Sequence, residues 1–187
     1  MSNVSKALLV LGAVGGFLLA MMYIPGALEW TFPIFGFITQ ETWFLYTVAA
    51  FILITIGFLG LWRKSGNPVP LVSALFILLQ GIIGYLLFYL WWVDPASWPH
   101  PESLITIVTL VTGVGWLAAG ISAWLLREEF SQFSIVAALV FVVYAAVGLV
   151  MGLLYPSEML PIPVWFMWLI SATSIVTGIY FLDAART

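Results

Sequence analysis

The chain has 187 residues, 64% hydrophobic and 7% charged, with five Lys or Arg, eight Asp or Glu, one His and a net charge of −3. A soluble domain carries about a quarter charged residues, so a water-covered surface is excluded and an all-α polytopic membrane protein is expected, with lipid solvating the Leu, Val and Phe side chains. The absence of cysteine excludes disulfides, thiolate metal sites and cysteine nucleophiles, and so few scattered basic residues exclude a nucleic-acid partner.

A hydrocarbon core of about 30 Å takes about 20 helical residues to cross. Six apolar segments meet that length, at Ser5–Tyr23, Thr42–Trp62, Val69–Trp92, Ser103–Leu126, Gln132–Tyr155 and Pro161–Asp183, in a single membrane domain. The first has some features of a secretory signal, with Lys6 before the apolar run and Pro25-Gly26-Ala27 after it. It also joins the internal repeat described below, so it is expected to be retained. The longest connection, residues 24–41, is apolar, and its Trp30, Phe32, Phe35 and Phe37 are expected to pack on the bundle or lie in the membrane interface.

The basic residues fall on one side of these segments. Lys6 precedes the first, Arg63 and Lys64 follow the second, Arg127 follows the fourth and Arg186 follows the sixth. By the positive-inside rule both termini are cytoplasmic, in a cell membrane crossed six times. The opposite face carries Glu29, Glu41, Asp94, Glu102 and Glu158 and no Lys or Arg.

The segments also read as three repeated helical hairpins. Leu61–Trp91 aligns with Leu125–Tyr155, placing Arg63 on Arg127, Val72 on Val136, Ala74-Leu75 on Ala138-Leu139 and Gly84 on Gly148. Small residues recur at heptad spacing in the even segments, as Ala50 and Gly57, Gly113 and Gly120, Ser171 and Gly178. On one helix face, such residues let backbones approach closely, which is how helices associate in lipid. Gly57, Gly84, Gly113, Gly120, Gly148 and Gly178 are therefore expected at helix contacts.

Few polar groups lie within the segments. Gln80 is the strongly polar side chain near a segment centre, and an unpaired amide there costs several kcal/mol, so it must face the bundle and find a partner. Its repeat equivalent is Tyr144, and a contact between the two would satisfy both. Together they form the candidate polar centre, either as interhelical glue or as an anchor for a quinone-like head group or a solute. Thr106, Thr109 and Thr112, with Ser171, Ser174 and Thr177, form a hydroxyl seam whose members usually bond back to a carbonyl one turn earlier. His100, with Asp94 and Glu102 nearby, lies in a proline-flanked connection and reads as an exposed turn, so no metal site and no cofactor are expected.

Of ten tryptophans, Trp30, Trp43, Trp91, Trp92, Trp98, Trp165 and Trp168 fall toward the outer side. That excess is larger than an aromatic belt requires and suits either a lipid or quinone site or a docking surface. The chain has no phosphate-binding glycine loop, HExxH helix or GxSxG elbow, and thus no catalytic constellation. The leading expectation is a non-catalytic integral subunit that docks on other membrane subunits or on itself within a larger assembly, for example a respiratory or quinone-linked complex. The alternative is a small transporter or a lipid- or isoprenoid-binding protein with its site between the repeated hairpins.

Overall fold

The structure is a computed structural model and describes residues 3–28, 39–93, 101–130, 132–159 and 162–187. It contains six long helices: α1 (Asn3–Ala27), α2 (Gln40–Ser65), α3 (Val69–Val93), α4 (Pro101–Leu125), α5 (Phe133–Leu154) and α6 (Val164–Arg186). A short 3-10 turn, Pro156–Met159, precedes α6, and no strand occurs among the described residues. All six helices are long and apolar enough to cross a membrane, as in a multi-pass membrane protein. Large apolar side chains such as Leu45, Leu139 and Leu154 point outward, where lipid solvates them without cost.

Local chemistry sets the helix ends. Thr39 caps α2, accepting a bond from Thr42 N at 3.3 Å. At the other end of α2, Gly66 takes a left-handed φ of 71° and returns its N–H to Trp62 O at 2.8 Å, a closure that glycine makes without strain. Asn67 Oδ1 then accepts from Val69 N at 2.9 Å, starting α3 two residues later. The sequence reading stops α1 at Tyr23, but the helix runs on through Pro25 to Ala27. Proline removes only its own N–H, and the next turn continues with Leu28 N donating to Ile24 O at 2.9 Å.

The helices form a ring in chain order. Each packs on its sequence neighbours, and α6 returns to pack along α1. Backbone-to-backbone approach at glycine holds one arc of it. A Cβ at Gly16 would lie 2.6 Å from Gly178 N, and one at Gly57 would lie 2.8 Å from Gly12 Cα. Gly113 and Gly120 give α4 the same intimacy with α5, against Leu149, Val142 and Ala138. The junction between α5 and α6 is much looser, since α5 leans on α4 instead. The third hairpin therefore lacks the tight packing of the first: even at Gly148 of α5 an added Cβ would stand 3.9 Å from its nearest neighbour, Phe166 Cζ of α6.

Inside the ring, aromatic side chains run from one end toward the other. Phe58 meets Phe181 at a centroid distance of 5.0 Å, Tyr180 meets Phe141 at 6.0 Å, and Phe141 meets Trp116 at 5.3 Å. At the basic end Lys64 Nζ donates to Ala184 O at 2.7 Å and to Thr187 Oγ1 at 2.9 Å, and sits 4.4 Å over the Phe130 ring. A cation at the C-terminal carbonyls of α6 opposes the helix dipole and ties α2, α6 and the α4–α5 turn together.

The hydroxyls of Ser122, Ser134 and Tyr180 are buried at this end without a partner among the described residues. An unpaired buried hydroxyl carries a desolvation cost of about 1–3 kcal/mol. Tyr180→Phe keeps the ring contacts and is expected to leave stability unchanged or raise it; a marked loss in a thermal unfolding assay would show instead that the hydroxyl has a bonded partner.

Candidate functional site

A second group of polar side chains gathers in the half of the ring away from the basic turns. Gln80 sits midway along α3 and is 8% exposed, and its Oε1 accepts from Trp116 Nε1 of α4 at 2.9 Å. An indole N–H can only donate, so this bond fixes the amide with its carbonyl toward Trp116 and its −NH2 away from it. Tyr144 of α5 lies beside Gln80 on the wall of the same cleft. Its ring meets Trp116 edge-on at 5.4 Å and stacks on Phe166 of α6 at 5.9 Å. Gln80 and Tyr144 are thus brought together, with Trp116 as the third member. The sequence reading leaves Trp116 without a role, although a buried indole N–H always needs an acceptor.

These residues form part of the wall of a cleft at the centre of the ring. The space open to the centre of a water-sized sphere is about 110 Å³, several times the roughly 10–15 Å³ needed to hold one water. Tyr23, Trp43, Phe44, Tyr85 and Phe166 supply its aromatic surface, and Gln80, Tyr144, Thr109 and Thr112 its polar one. None of the described lining residues carries a charge.

The two threonines differ from the other hydroxyls of the proposed seam. Ser171, Ser174 and Thr177 of α6 bond back to Met167 O, Ile170 O and Thr173 O at 2.7–2.8 Å and are spent. Thr109 and Thr112, 8% and 7% exposed, have no such bond among the described residues.

Glycine shapes the cleft. Gly84 was expected at a tight helix contact, yet a Cβ there would meet nothing within 4 Å. At Gly148 the nearest atom is Phe166 Cζ, at 3.9 Å. Both line the cleft, so these two glycines open space, whereas Gly57, Gly113, Gly120 and Gly178 close it between helices. Spacing along the chain does not separate the two uses, because both put glycine on an inward face.

The outer tryptophans divide as well. Trp43 turns inward, donating from Nε1 to Met22 O at 2.9 Å and meeting Tyr23 edge-on at 5.5 Å. It therefore fastens α2 to α1 beside the cleft and is not part of an outward face. Trp165 and Trp168 are exposed. Trp91 and Trp92 belong to α3 but their side chains are outside the described set, as are Trp30, Trp98, Asp94 and His100 altogether. No cluster of potential metal ligands occurs among the described residues.

No protein family, curated protein or solved structure matches this chain. The chemistry of the cleft must therefore be read from its own residues. Its described residues give it apolar walls, a few convergent hydrogen-bonding groups and no charge, the make-up of a small-molecule site.

Proposed function

We propose that the protein binds an uncharged, largely apolar small molecule, such as a lipid or isoprenoid, in the cleft between its helices, as a membrane carrier or binding protein. The observation that carries this reading is the open space at Gly84, set against a wall of Gln80, Tyr144 and Thr112. Helices in lipid normally use glycine to approach one another. A glycine that faces an empty, partly polar cleft leaves room for something other than a helix. The loose α5–α6 junction supports the reading, since Tyr144 and Gly148 on one side and Phe166 and Ile170 on the other line the cleft there and offer lateral entry from the bilayer.

On this reading both termini and the basic turns are cytoplasmic, the cleft lies in the outer half of the bilayer, and Gln80 and Tyr144 are equivalent positions of duplicated hairpins that have diverged. Extraction of the protein purified from native membranes, followed by mass spectrometry, should yield one uncharged amphiphile enriched over bulk lipid. Recovery of bilayer lipids in their membrane proportions alone would remove the proposal.

Orientation has its own test. The chain contains no cysteine, so Glu128→Cys, at an exposed position beside Arg127, provides a unique thiol. A membrane-impermeant maleimide should label it only after the cells are opened; labelling of intact cells would reverse the orientation.

A second reading, a non-catalytic subunit docking on other membrane subunits, rests on Trp165 and Trp168, exposed at 48% and 46% and three residues apart on α6. Migration of the mildly solubilised protein as a monomer without a partner would eliminate it.

A further inference from the structure

Resting on the binding reading, we infer that the head group recognised in the cleft is an uncharged hydrogen-bond acceptor, a carbonyl carried either by a ring or by an ester. The inference follows from the balance of donors and acceptors. The cleft's one amide carbonyl, on Gln80, is already engaged by the Trp116 N–H at 2.9 Å. That leaves on the wall the amide protons of Gln80, which can only donate, and the hydroxyls of Tyr144, Thr109 and Thr112, each of which can donate one proton as well as accept. Each of these side chains is more than nine-tenths buried, where an unused donor costs stability and a ligand that accepts from it recovers the loss. A carbonyl oxygen accepts and never donates, so it can take a proton from the Gln80 amide or from any of these three hydroxyls.

Charge excludes the other strong acceptors. A phosphate or carboxylate would meet no cation among the described lining residues, and an unpaired ion at this depth carries a large desolvation penalty. A plain hydrocarbon fits the walls but leaves the donors unsatisfied. Trp116 is the positioning residue: by holding the Gln80 carbonyl it turns the amide protons toward Tyr144 and the cleft.

Matched probes test this. Equilibrium dialysis of the full-length protein in dodecyl maltoside, a detergent without carbonyls, compares 2-methyl-1,4-naphthoquinone with 2-methylnaphthalene, and methyl laurate with tridecane. At least one carbonyl probe should bind about five-fold or more tightly than its hydrocarbon match, and the tighter pair identifies ring or ester as the source. Tyr144→Phe combined with Thr112→Val keeps the shape of the cleft and should erase that preference while leaving the hydrocarbon affinity unchanged. If all four probes bind and neither carbonyl is preferred, the acceptor inference falls and the binding reading stands. If none of the four binds, the binding reading itself falls. Size-exclusion profiles of the double variant matching wild type separate lost recognition from lost folding.

Discussion

Gly16→Val should be strongly destabilising. The new Cβ would lie 2.6 Å from Gly178 N and 2.8 Å from Ser174 O, and both are backbone atoms of α6 that cannot rotate aside. Relief requires moving α1 off α6, and α1 is also fixed to α2, where a Cβ at Gly15 would lie 2.7 Å from Ile54 N. Overpacking in a closed core costs about 1–3 kcal/mol, occasionally more. This site belongs at the upper end, because displacing α1 opens the ring on two sides. Thermal unfolding in detergent should show a large drop in midpoint for Gly16→Val and almost none for Gly84→Ala, whose Cβ meets nothing within 4 Å. Equal midpoints for the two variants would contradict the packing described for α1 and α6.

Gly84→Leu should have the opposite character, with folding intact and ligand lost. An isobutyl group at this position projects into the cleft of about 110 Å³ and occupies the space a ligand would fill. The fold has little reason to object, because removing a glycine from a helix interior recovers about 0.5–1 kcal/mol and the side chain meets empty space. The copurifying amphiphile should fall to background in this variant, while the thermal midpoint stays at or above that of the wild type. Full retention of the same molecule would mean that it binds elsewhere, for example on the exposed face of Trp165 and Trp168.

The two glycine variants show how far the chain could be read without its fold. A glycine in a membrane helix announces that something comes close or that space is kept, and Gly16 and Gly84 look alike along the sequence. Only the position of α6 makes the first a backbone contact, and only the absence of any neighbour makes the second a cleft wall. Gln80 is a similar case. Its need for a partner is legible, since an amide cannot remain unpaired in hydrocarbon. Its bond to Trp116 is not, because the repeat points from Gln80 to Tyr144 and says nothing of the tryptophan. The signal was present: a buried indole N–H also needs an acceptor, and Gln80 offers the strongest one at that depth.

The sequence by itself determined the class of this protein and the approximate positions of its helices. Long apolar runs with few charges leave the backbone one way to satisfy its hydrogen bonds in lipid, by folding within each segment, and that is a local property. The order of packing around the ring, the loose α5–α6 junction and the cleft facing Gln80 were decided only in the tertiary structure. They depend on the rotation of each helix about its own axis and on the distance between neighbours, and hydrophobicity, nearly uniform around these helices, specifies neither.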